Sequence, residues 1–179
     1  MTVYLFPDTT VLRNFAVVRS LDLLERILDG RGRWTDAVAY EVHRSLSDEP
    51  ALSAVLDGGW LGEPIEVDDP GEQAEVESIR RAVFGGRREN PTRHLGEAMT
   101  CYIIQTWSQL AGSWWISDDR EAVRYGRKQQ LTTLDTTDLL TSAVRSGLVD
   151  ADAAYALLGQ MVDRNRAVRL PSSVSELLL

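Results

Sequence analysis

Carboxylates occupy positions in this chain where ordinary packing would not put them. Residues 114–119 read WWISDD, a run of strand-like composition that stops on two adjacent acids, Asp118 and Asp119. Asp8 follows another such run by two residues, with hydroxyls on Thr9 and Thr10 beside it. Glu41 falls on an otherwise apolar helical stripe, in which Val38, position 41, Val42, Ser45 and Leu46 hold the i, i+3, i+4, i+7 and i+8 places. An inward-facing Glu is costly to bury unless it is paired or holds a cation. Glu97 lies in the first turn of a further helical pattern, within Gly96-Glu97-Ala98, where the helix dipole favours an acid. Taken singly, each has an ordinary reading as a strand-end cap or a first-turn helix acid, and so do Asp135 and Asp138 near the last strand. Together they suit a hard cation, Mg²⁺ or Mn²⁺, bound by oxygen alone. His43 and His94 are too few and too scattered for a zinc site, and the chain has no Walker loop, no GxGxxG and no GxSxG. If the acids face one pocket, their like charges raise one another's pKa.

The elements that must position these groups read as short strands alternating with helices. Strands are expected at Thr2–Phe6, Ile65–Val67, Trp114–Ile116 and Leu131–Thr133. A short helix is expected over Val11–Val18, and a second runs from a Ser20 cap to Ile27. Further helices are expected near Asp36–Leu46, Pro50–Leu56, Glu72–Val83, Leu95–Leu110, Arg120–Gln129, Thr136–Ser146 and Ala151–Val162. Gly85 to Pro91, with its Gly-Gly, Arg-Arg and Asn-Pro pairs, is the best loop. This order argues for an α/β fold with a largely parallel sheet. Such sheets bind ligands beyond the carboxyl ends of their strands, where Asp8 and Asp118 both fall.

At 179 residues the chain is most simply one domain, 1–179. An apolar content of 44% and a charged content of 26% fit a soluble globular protein. No apolar run nears a membrane span, and MTVYLFPDTT lacks a basic segment followed by an apolar one, so a cytoplasmic protein is expected. The single Cys101 rules out a disulfide within the chain, and its helical pattern makes it a small buried hydrophobe. A net charge of −8 is a poor general attractant for nucleic acid, but local charge outweighs the sum. Arg80, Arg81, Arg87, Arg88 and Arg93 crowd one segment; Arg120, Arg124, Arg127 and Lys128 follow the paired aspartates.

The stretches FPDTTVLRNFAVVRSLDLLERIL, VAYEVHRS, LGEAMTCYI, WISDDREAVRYGR and LDTTDLLTSAVRSGLVDADAAYALLGQM, in that order, resemble the PIN-domain nucleases over nearly the whole chain. The similarity is to the bacterial branch with a Gly-Glu-Ala helix start and a strand ending in Asp-Asp-Arg. It implies a three-layer α/β/α fold with a parallel sheet, an acidic pocket binding Mg²⁺ or Mn²⁺, and endonucleolytic cleavage of single-stranded RNA. By motif, Asp8 matches the strand-one acid, Glu41 the Glu after the first helical pair, Glu97 the acid of Gly-Glu-Ala, and Asp118 the strand-four acid with Asp119 beside it. Metal contact falls to Asp8, Glu97 and Asp118 or Asp119, and either Glu41 or Asp119 orients the attacking water. Thr10 and Thr136 match supporting hydroxyl residues. Read from the residues themselves, Arg87, Arg88, Arg93 and Arg120 are candidates to hold substrate, with a solvated surface loop the alternative for the Arg80–Arg93 segment. Asp135 and Asp138 replace the glycines of a Gly-Thr-x-Gly turn, which either adds charge to the pocket or distorts the turn. His94 stands near a position where the family often has Asp. The partners implied are RNA and a small antitoxin protein, with self-association open and no membrane.

Two other classes compete. An aspartate-nucleophile phosphatase needs a second Asp two residues after the first, where Thr10 stands, and a lysine, of which Lys128 is the only one. A PIN-like module that binds RNA or protein without cutting would retain the fold and lose the chemistry.

Overall fold

Three short strands form the centre: β1 (Leu5–Pro7), β2 (Trp114–Ile116) and β3 (Thr132–Leu134). They lie in the order β1-β2-β3, all parallel, in the computed structural model, which describes residues 2–178. Alternate side chains of a strand face opposite sides. Leu5 and Ile116 therefore enter one apolar cluster, while Phe6 and Trp115 enter another.

The first cluster is filled by helices α1 (Thr9–Val17), α2 (Leu21–Leu28), α3 (Asp36–Arg44) and α4 (Ser53–Gly58), and by α8 (Thr136–Arg145) and α9 (Ala151–Asp163). The second is filled by α5 (Pro70–Ala82), α6 (Leu95–Thr106) and α7 (Arg120–Lys128). The result is a helix–sheet–helix sandwich, the α/β arrangement with a parallel sheet that the alternation of elements implies. Gly126 lets α7 lie close to the sheet, since a Cβ there would stand 2.7 Å from Thr133 Cγ2 and 3.1 Å from the Trp115 ring. Cys101 is buried, and burial pushes its thiol up to about 12. Among the described residues no helix is long and apolar enough to cross a membrane.

Several expected boundaries move. The first strand runs Leu5–Pro7 rather than Thr2–Phe6, and Pro7 itself pairs with Ile116. The third is displaced by one residue, to Thr132–Leu134. Ile65–Val67 is no strand; Ile65 makes a single bridge to Thr35, and the Asp69 cap of α5 follows at once. Ser20 precedes α2 without capping it, because its hydroxyl donates to the Val18 carbonyl. The long helix expected to reach Leu110 ends at Thr106, and a 3₁₀ turn carries Ser108–Leu110.

Candidate functional site

Register builds the first part of the site. Pro7, Ile116 and Leu134 are paired across the sheet, so the next residue of each strand, Asp8, Ser117 and Asp135, falls in one row at the carboxyl edge. The Asp8 backbone N–H continues the ladder, donating to the Ile116 carbonyl at 2.9 Å. Its carboxylate caps α1 by accepting from Val11 N at 3.0 Å, and it also accepts from Thr10 Oγ1 at 2.6 Å and from the Ser117 hydroxyl. Thr10 then links strands, because its hydroxyl accepts from Asp118 N at 3.3 Å. Cap and site residue are the same group here.

Asp118, one residue beyond the row, is held from three sides. Thr136 donates to it through N, at 3.1 Å, and through its hydroxyl; Asn14 Nδ2 donates at 2.8 Å. Asn14 is 1% exposed, and Arg166 Nε donates to its Oδ1 at 2.6 Å. Because the guanidinium can only donate, it fixes which end of the Asn14 amide faces Asp118. Asp119 turns outward to cap α7, its Oδ1 accepting from Glu121 N at 2.7 Å and Ala122 N at 3.0 Å.

Glu41 and Glu97 come from the facing helices α3 and α6. Glu41 points inward as its stripe position implies, accepting from Thr9 Oγ1 at 2.5 Å and from the Gly96 N–H. The glycine of Gly-Glu-Ala allows this approach: a Cβ at Gly96 would stand 3.0 Å from Val38 Cγ2 and 3.4 Å from Glu41 Oε1. Glu97 Oε1 lies 3.2 Å from His94 Nδ1. Arg93 Nε donates to the other ring nitrogen at 3.2 Å, which leaves Nδ1 as the donor to Glu97. Glu97 Oε2 is buried with no hydrogen-bond partner.

Burial, more than mutual repulsion, sets the electrostatics. It pushes the Asp8 carboxyl up to about 7 against the hydrogen bonds from Ser117, Thr10 and Val11, with the Asp118 charge the smallest contributor. Glu41 is likewise pushed up to about 7, by burial first and then by Glu97 and Asp8, while the Thr9 bond holds it back. Asp118 is raised by burial and restrained by Thr136. These acids feel one another's charge, yet among the described residues no three Asp, Glu, His or Cys side chains converge at metal-ligand spacing as they stand. Each is tied to its own hydroxyl or amide. An oxygen-only donor set with one buried oxygen left unpartnered fits a small hard cation.

Asp135 adds charge at the edge of the pocket, since it lines the groove and helps raise the Asp118 carboxyl, while the turn that carries it and Asp138 closes regularly. They form a reciprocal capping box at the start of α8, and Arg169 bonds both, at 2.9 Å to Asp135 and 2.7 Å to Asp138. Arg120 lines a groove of about 1190 Å³ that runs to Asp118 and Thr10. Arg87, Arg88 and Arg93 lie in a different segment, folded around Arg80, whose buried guanidinium donates to the carbonyls of Arg87, Asn90 and Arg93. The sequence reading missed Asn14, Ser117 and Arg166. Asn14 carried a usable signal, a polar residue on the stripe of Val11, Phe15 and Val18; Arg166 carried none.

A family model described as PIN domain matches residues 5–179, and PIN domains are in general nucleases that use divalent metals. No curated protein and no solved structure matches the chain. With acids at the ends of parallel strands and a family match spanning nearly the whole sequence, the chain belongs to the PIN-domain family.

Proposed function

We propose that the protein is a Mg²⁺- or Mn²⁺-dependent endoribonuclease cleaving single-stranded RNA. The observation that carries this reading is the buried, unpartnered Glu97 Oε2 within reach of the Glu41 charge, at one end of a row of acids in which Glu41 feels Asp8 and Asp8 feels Asp118. Asp8, Glu97 and Asp118 would hold the ion, which when bound supplies charge for the entering and leaving oxygens of an in-line displacement. The chain's own groups do the positioning. Thr10 and Ser117 fix Asp8, Thr136 and Asn14 fix Asp118, and His94 fixes one oxygen of Glu97. Glu41, pushed up to about 7, suits exchange of a proton with water near neutral pH. Asp119 suits that role less, since one of its oxygens is filled by two helix N–H groups.

A non-cutting PIN-like module is the second reading, favoured by one observation: both oxygens of Asp118 are already filled by Thr136 and Asn14. Incubating a labelled single-stranded RNA with Mn²⁺, with EDTA, and with the Glu97→Gln variant separates the two. Cleavage only by wild type with metal is expected. Cleavage that survives both EDTA and Glu97→Gln would overturn the metal-dependent reading, and no cleavage under any divalent ion would favour the module. The resemblance to toxin-type members extends the proposal to a cytoplasmic toxin held by a small antitoxin. Growth arrest on expression, abolished by Asp8→Asn, is the expected result; unimpeded growth of the wild-type strain would count against it.

A further inference from the structure

The second basic cluster of the sequence takes a definite shape in the fold. Arg120, Arg124, Arg127 and Lys128 hold the i, i+4, i+7 and i+8 places of α7, so they lie on one face, and all four are exposed and line the groove that ends at Asp118. At about 1.5 Å rise per residue the stripe is about 12 Å long. Arg166 and Arg169, from the segment after α9, line the groove as well. Its acids are largely spoken for: Asp119 caps α7, and Asp135 is paired with Arg169. Asp118 faces it from the strand ends, with Thr10, Asn14 and Ser117 at the same inner end.

We infer that this groove binds the phosphodiester backbone of the RNA strand and leads it to the acid site at Asp118. The inference rests on the nuclease reading above and specifies its substrate path. Clustered Arg and Lys on one face are the electrostatic footprint of a phosphate chain. Among the described residues no Phe, Tyr or Trp lines the groove, so bases have no aromatic stacking platform there and recognition falls on the phosphates. The Arg80–Arg93 segment lies outside this path: its backbone carbonyls fold around Arg80, and it lines no part of this groove. The path also explains how a chain of net charge −8 holds a polyanion, since the attraction is concentrated along one helix.

The test measures binding of a fluorescent single-stranded oligoribonucleotide in EDTA across a salt series, so that no cutting intervenes. The triple variant Arg120→Ala, Arg124→Ala, Lys128→Ala is compared with wild type and with Arg87→Ala, Arg88→Ala. Each phosphate contact to a single strand contributes about 0.7 to the slope of log K against log salt, so three lost contacts flatten it by about 2. Between about 50 and 200 mM salt the wild type should then lose about 20-fold more affinity than the triple variant. The Arg87/Arg88 variant should follow wild type. An unchanged slope in the triple variant, or an equal loss in the Arg87/Arg88 variant, overturns the path. Wild type that binds polyglutamate but not RNA makes the stripe a dock for an acidic protein segment and overturns it too. If the alanine variant does not fold, the Gln triple at the same positions gives the same reading. A flattened slope with no cleavage by wild type under any divalent ion supports the groove while rejecting the nuclease, so the two failures are distinct.

Discussion

Replacing Asp8 by Asn separates what this buried carboxyl costs the fold from what it contributes to a site. Asp8 is 6% exposed, and burial lifts its carboxyl from an ordinary 3.8 to about 7. The folded protein then holds a proton that the unfolded chain has already released. Stability accordingly falls as pH rises from about 4 to about 7, and is level on either side of that window. At about 1.4 kcal/mol for each tenfold change in proton affinity, the whole loss is about 4 kcal/mol. Asn keeps the shape and most of the bonds. Its oxygen still accepts from Val11 N and Thr10 Oγ1, and its amide faces Ser117, whose hydroxyl rotates to accept. The substitution removes the ionisation and with it the pH-dependent loss.

Thermal denaturation followed by circular dichroism, in EDTA from pH 5 to pH 8, reads this directly. Each kcal/mol corresponds to roughly 2–4 °C for a domain of this size, so Asp8→Asn should melt about 10 °C higher than wild type at pH 8. The difference should narrow steadily toward pH 5. Mn²⁺ at about 100 times its dissociation constant should add about 2.7 kcal/mol to wild type and much less to the variant. A variant that melts below wild type throughout, or a gap that does not change with pH, would refute the reasoning. Asp118→Asn is a poorer probe, because its new amide would oppose the donors of Thr136 and Asn14. It should melt lower than wild type in EDTA despite removing a charge.

Gly96→Ala places a Cβ 3.0 Å from Val38 Cγ2, so a loss of about 1–3 kcal/mol in urea denaturation is expected, with cleavage reduced further as Glu41 is displaced. Asn14→Ala strips one donor from Asp118 and the acceptor from Arg166; about 1–3 kcal/mol should be lost, and a change below about 0.5 kcal/mol would mean the network does not hold Asp118. Arg80→Met frees the carbonyls of Arg87, Asn90 and Arg93, so trypsin should cut after those arginines faster than in wild type while the global melt moves far less than the cutting rate. Equal cutting rates would show that Arg80 does not organise the segment.

How much of the site can be read before folding depends on what fixes each residue. Asp8 and Asp118 are fixed by the strands they end, and strand composition is local, so both were legible. Glu41 was legible because a helix imposes a period and an acid in the apolar stripe breaks it; Asn14 breaks the α1 stripe in the same way and is buried for a similar reason. Ile65–Val67 shows the limit of composition, since β character yields a ladder only where a neighbour offers one, and here Thr35 offers a single bridge. Asp135 and Asp138 show the limit of charge. Their sign was plain, but how much of their charge is offset depended on Arg169, 31 residues beyond Asp138 and in no periodic pattern. Arg166 reaches Asn14 across 152 residues by the same return of the chain after α9. Local patterns therefore locate the acids, and the unpatterned C-terminal segment decides which of them remain uncompensated. Arg169 bonds Asp135 and Asp138, while Arg166 bonds the Asn14 amide and reaches Asp118 by charge alone, without a direct bond to its carboxylate.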